Sequence, residues 1–152
     1  MRSYRKALLG LFLIILVLPA SAVADDLIMR RIRMSFPEAM NALQTSIAEE
    51  GYTVSRVQRV DIGLTSSGYN TAEYRIVFFM REDVVHDIVK QHPELIPYLP
   101  LKVTIFAEGS ETIVVALNPV KLDDFFPELK MGRTFSQWSD DINTILDRVQ
   151  AE

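Results

Sequence analysis

The stretch Leu101-Lys-Val-Thr-Ile-Phe-Ala-Glu-Gly-Ser-Glu-Thr-Ile-Val-Val-Ala-Leu117 decides the fold. It contains two runs rich in β-branched and aromatic residues, Leu101 to Ala107 and Thr112 to Leu117, joined by Glu108-Gly109-Ser110-Glu111. Such side chains suit a pleated, half-buried surface, and the glycine supplies the backbone freedom that a tight connection needs. An antiparallel hairpin is therefore expected. Upstream, Ala72 to Met80 reads as another strand, with Tyr74, Ile76, Phe78 and Met80 on one face and Glu73, Arg75, Val77 and Phe79 on the other. Tyr52 to Ile62 is a further strand whose alternation is strongest at Tyr52, Val54 and then Val57, and Gly63 to Asn70 reads as a polar loop. Leu27 to Met34 is the first strand.

Three helical patterns separate these runs. Ser35 and Glu38 form a capping box with Pro37 in the first turn, and Phe36, Met40, Leu43 and Ile47 recur at helical spacing up to Gly51, a natural C-terminal stop. A second helix is expected over Glu82 to Gln91, with Val84, Val85, Ile88 and Val89 as its apolar stripe. The last begins near Thr134, where Thr134 and Gln137 make a second capping-box pattern. It presents Phe135, Trp138, Ile142, Ile145, Leu146 and Val149 to the sheet. The order β-α-β-β-α-β-β-α predicts a two-layer α+β domain: a mainly antiparallel sheet with helices on one face, in which only the helix-bridged joins have room to be parallel. The other face should be polar. Glu73, Arg75, Lys102 and Thr104 fit that expectation, whereas Val77, Phe79 and Phe106 do not, and an exposed apolar cluster of this kind marks an interface.

The N-terminus reads as an address. Arg2, Arg5 and Lys6 precede an unbroken apolar run from Ala7 to Leu18, then Pro19 and two small-x-small sites, Ala20-Ser21-Ala22 and Ala22-Val23-Ala24. A cleaved secretory signal peptide over residues 1–24 is expected, ahead of a single domain over residues 25–152. An uncleaved anchor is the competing reading, because no charge occurs from Ala7 to Ala24. The shortness of the apolar core favours cleavage after Ala24 and a periplasmic location. Cleavage would remove 24 of the 152 residues and three positive charges, taking the formal charge from −4 to −7. An acidic domain without a Lys/Arg cluster has no electrostatic footprint for nucleic acid. The chain has no cysteine, which excludes disulfides, thiolate metal sites, a cysteine nucleophile and lipidation of an N-terminal Cys.

Motifs that carry chemistry are sparse. His86 and His92, the only histidines, are six residues apart and point in different directions on a helix, so they form no paired metal site. The methionines show no tight cluster with histidine and read as core filling. Asp123-Asp124, Asp140-Asp141 and Glu49-Glu50 read as pairs at solvated helix ends. Neither a G-x-S-x-G elbow nor a phosphate loop occurs, and no cofactor or metal is implied. Lys102, inside an apolar strand, reads as a snorkelling side chain, or together with Arg75 as a holder of an anionic group. Asn118-Pro119 reads as a strand end.

Leu99-Pro100-Leu101-Lys102 leading into an apolar strand, the acidic-Gly turn, a second strand ending in Asn118-Pro119, and an aromatic strand before a short helix together resemble the bacterial family called domain of unknown function 302. The likeness runs from about Ser35 to Val149, and it implies a small two-layer α+β fold with no established activity. Val60-Asp61-Ile62 departs from the family's Ile-Asp-His triplet, and Met80-Arg81-Glu82 stands where relatives often carry a Gly-Asn-Pro turn. The expected function is that of an exported, non-enzymatic binding or accessory module for a small molecule or protein partner. Its interface would comprise Arg75, Lys102, Asn118, Val77, Phe79 and Phe106, and it would associate as a homodimer through the open sheet face. The alternative is a small periplasmic enzyme acting on an anion near Arg75, Lys102 and Asn118.

Overall fold

A computed structural model describes residues 26–152 of the protein. The expected signal peptide and its cleavage site lie outside them. The chain runs β1 (Leu27–Ile32), α1 (Phe36–Glu49), β2 (Thr53–Arg59), α2 (Val60–Ser66), β3 (Tyr74–Met80), α3 (Glu82–Gln91), a 3-10 turn (Pro93–Tyr98), β4 (Leu101–Glu108), β5 (Glu111–Leu117), α4 (Leu122–Phe125) between two further 3-10 turns, and α5 (Gly132–Ala151). The strands form one sheet in the order β1-β5-β4-β3-β2, and every neighbouring pair is antiparallel. Even β3 and β4, bridged by α3, run in opposite directions, whereas β1 and β2, bridged by α1, run in the same direction at opposite edges of the sheet and do not pair.

Helix α1 carries the chain from one edge strand to the other and must cross a sheet face to do so. Its start is fixed as the sequence predicts: the Glu38 carboxylate accepts from the Ser35 backbone N–H at 3.1 Å and from the Ser35 hydroxyl at 2.6 Å. Those bonds hold the Glu38 carboxyl below its ordinary range. At the other end Gly51 adopts φ +79°, a conformation open to glycine at little cost. Leu43, Ile47, Ile145, Leu146 and Val149 are fully buried where α1 and α5 pack together on the sheet.

Three local expectations are corrected. The second strand ends at Arg59, and Val60–Ser66 is a short helix rather than a strand end and a loop. Alternation stops after Val57, and Asp61 in the first turn complements the helix N-terminus while pairing with Arg75. Helix α5 starts at Gly132 with Met131 as N-cap, and no Thr134–Gln137 box forms because Gln137 donates to Asp141 at 2.8 Å. The third correction concerns the sheet faces. Val77 and Phe79 are fully buried in the helix-side core, because β3 pairs with β4 so that Val77 opposes Val103 and Phe79 opposes Leu101. Cross-strand partners share a face, so Val103, Leu101 and Ile105 commit their β3 partners to the core.

Candidate functional site

Two places on the molecule gather side chains in a way that core packing does not require. The first is the helix-free face of the sheet. By register it carries Tyr74, Ile76 and Phe78 of β3, opposite Phe106, Thr104 and Lys102 of β4 respectively. It continues through Ile113, Val115 and Leu117 of β5 to Met29 and Leu27 of β1. Leu27, Met29 and Leu117 are exposed at 54%, 60% and 41%, Tyr74, Ile76, Phe78, Phe106 and Val115 are half-buried, and Ile113 is buried, so the apolar surface of this face is most open along β1 and the end of β5. Tyr74 and Phe106 stack edge-to-face with centroids 6.4 Å apart. Arg31, at the rim, pairs with Glu108 and Glu111 of the β4–β5 hairpin.

The six residues expected at an interface are not brought together. Lys102 and Phe106 do lie on the helix-free face, and Lys102 is exposed. Val77 and Phe79 are core. Arg75 points to the helix-bearing side, where it pairs with Asp61 under α2 and its guanidinium lies over the Phe36 ring at 5.4 Å. Asn118 is buried at the end of β5, and its side-chain oxygen accepts from the Val120 backbone N–H at 3.2 Å, starting the 3-10 turn that follows. The alternative centre made of Arg75, Lys102 and Asn118 therefore has no common cavity.

The second place is a cleft of about 320 Å³ between α3 and the first turns of α5, at the end of β3. Met80, Val84, Val85, Leu99 and Leu101 supply apolar walls, with Trp138 and Tyr52 beside them. Arg81, Arg133, Thr134 and Gln137 are its polar lining. Behind it sits a saturated network. Buried Asp141 accepts from the Tyr52 hydroxyl at 2.6 Å and from Gln137 at 2.8 Å, and Arg81 stands 3.5 Å from it. Arg81 lies 4.3 Å over the Tyr52 ring and donates to the Glu50 carbonyl at 2.8 Å, passing beside Gly51. Burial of the Tyr52 hydroxyl, and then its bond to Asp141, push it above its ordinary range, so it stays a protonated donor.

The Asp140-Asp141 pair is thus divided: Asp140 is exposed, whereas Asp141 is 3% exposed and structural rather than solvated. The signal lay in spacing, since Trp138, Asp141 and Ile145 fall on one helical stripe. Arg81 occupies the position where the chain departs from the Gly-Asn-Pro pattern, and its role is to lock α1, β2 and α5 to that turn. His86 is exposed on α3, and His92 ends that helix with Glu94 at 3.6 Å.

Comparison with known proteins supports this architecture. The family model described as "Domain of unknown function DUF302" matches residues 28–149. A solved structure described as an uncharacterized conserved DUF302 protein from Bacillus stearothermophilus superposes with a TM-score of 0.76. The match is at 16% identity and covers 83% of this chain and 99% of that one, a likeness of fold. No curated protein matches. The sheet order, the helix layer and the family match lead to one assignment: this chain belongs to the DUF302 family of domains of unknown function.

Proposed function

We propose that the protein is an exported, non-enzymatic binding module that associates with a second copy of itself through the helix-free face of its sheet. The observation that carries this reading is the apolar surface from Leu27 and Met29 through Val115 and Phe106 to Ile76 and Phe78, interrupted by Thr104 and Lys102 and bounded by Arg56 and Gln58 of β2. The helix-free face of a two-layer sheet ordinarily meets water and is polar. Here alternation puts apolar residues on both faces of β3 and β5, a pattern otherwise found in strands covered on both sides.

A second copy fits better than an unrelated partner because a two-fold interface must be self-complementary, and an apolar centre with a paired rim such as Arg31 with Glu111 is so. Five strands at about 4.8 Å spacing, each roughly 20 Å long, cover on the order of 1,000 Å² in total when two such faces meet, near the lower limit of a stable interface. Export rests on the basic, apolar and small-residue segments of the N-terminus.

One preparation tests both parts. The full-length chain, expressed in an exporting host and purified as that host leaves it, should begin at Asp25 by intact mass and scatter light as a dimer. Ile76→Asp should halve the scattering mass while the far-ultraviolet circular dichroism stays unchanged. A wild-type chain that remains monomeric at high concentration would remove the self-association, and a retained Met1 would replace export by anchoring.

A further inference from the structure

The cleft beside Trp138 lies on the helix-bearing side of the sheet, so what it does is independent of the self-association reading. Its walls are incomplete as a core. Helix α3 has an apolar stripe, yet none of its residues is buried: Val84, Val85, Ile88 and Val89 are all half-covered. Val84 and Val85 face Leu99, Leu101 and Trp138 across the open space. An amphipathic helix normally closes its stripe against the core. This one leaves a volume at the lower end of the range typical of small-molecule sites.

The polar lining gives the occupant its charge. Asp141 is turned away from the task, because both of its oxygens are taken by Tyr52, Gln137 and Arg81. That network neutralises Arg81 and fixes its guanidinium. Arg133 has no ion pair among the described residues and is exposed at the mouth. The acidic residues of α3's first turn, Glu82 and Asp83, are exposed and do not line the cleft. The lining thus carries one positive charge with no ion-pair partner over an apolar pocket, and the carboxylate of Asp123, which lies against the neighbouring Gly132, is outside the lining.

We infer that the cleft is a binding site for a small amphipathic monocarboxylate, its apolar body lying between Val84, Val85 and Trp138 and its carboxylate meeting Arg133 beside Arg81. The site needs no further reacting group. Tyr52 is held protonated by burial and by Asp141, and Gln137 is committed to Asp141, so the arrangement binds and orients without chemistry.

Trp138 is the single tryptophan of the sequence and lines the cleft, so its emission reports occupancy directly. The exported full chain should be titrated with octanoate, octanol and octylammonium, three probes with one apolar body and different heads. Octanoate is expected to change Trp138 fluorescence saturably, with one site per chain, below the concentration at which it self-associates. Octanol should bind about tenfold more weakly for want of the charge-assisted contact, and octylammonium more weakly still. Arg133→Ala, at an exposed position, should bring octanoate down to the level of octanol without altering the circular dichroism. Absence of a saturable octanoate signal, equal affinity for octanoate and octanol, or full retention of octanoate affinity in Arg133→Ala would each overturn the assignment.

Discussion

Arg75 shows how a residue's role follows from its side of the sheet. On the helix-free face it would be a solvated cation free to meet an anion, but on the helix-bearing side it is a largely covered group that needs a counter-charge, and Asp61 supplies it. Burial works against ionisation of Asp61, yet the hydrogen bond and charge of Arg75 outweigh it and hold the carboxyl below its ordinary range. The folded chain therefore binds this proton more weakly than the unfolded chain. The pair's contribution to stability is present above the unfolded carboxyl value of about 4 and is lost as pH falls through the lower folded value. Asp61→Asn should accordingly be less stable than wild type at pH 6 in urea, with the gap narrowing as pH is lowered below the unfolded carboxyl value, as at pH 3. A gap of the same size at both pH values would show that the ion pair contributes nothing. Residue types alone could not reveal this pairing, because Asp61 reads as part of a strand until α2 folds it back over β3. Asp141 teaches the same lesson: its neighbour Asp140 is solvated, and only the helical phase separates the two.

At the scale of elements, the parts written in local chemistry are legible and those set by pairing are not. Helix α1 is marked by Ser35, Pro37, Glu38 and Gly51, each acting within one turn of itself, and it forms over Phe36–Glu49 as its spacing predicts. Helix α3 matches its pattern residue for residue. In β2 the apolar positions pass from even to odd numbers between Val54 and Val57, and the structure explains the change. The pairing register shifts between Val54 and Arg56, so Ser55 is extra and both valines pack against the core. Strand β3 has apolar residues at both parities, so alternation within it cannot choose a face, and only its partners in β4 do. Two substitutions in α1 separate local from tertiary stabilisation. Ser35→Ala should cost about 1 kcal/mol through the lost cap, whereas Leu43→Ala, at a fully buried site, should cost about 2 to 5 kcal/mol through lost burial and the cavity left behind. Chemical denaturation measures both, and a neutral Leu43→Ala would contradict the packing of α1 against α5 and the sheet.

For the molecule as a whole, the two-layer arrangement was readable because its connections are short and its helices carry single apolar stripes. The assignment of residues to the two faces of the sheet was not, since β3 offers a plausible core from either side. The cleft was invisible for another reason: Tyr52, Arg81, Arg133 and Trp138 are distant in sequence and meet only where β3 leaves the sheet and α5 begins. The central claim is that one face of β3 is core and the other is an interface, and two adjacent phenylalanines test it. Phe79 is fully buried under the helices, while Phe78 lies opposite Lys102 on the helix-free face. Light scattering and thermal melting of Phe78→Asp and Phe79→Asp, beside the wild type, measure both faces at once. The account predicts a dimeric wild type, a folded and monomeric Phe78→Asp, and a Phe79→Asp chain that fails to fold. A folded Phe79→Asp beside an unfolded Phe78→Asp would reverse the faces, and an unchanged dimer in Phe78→Asp would remove the interface.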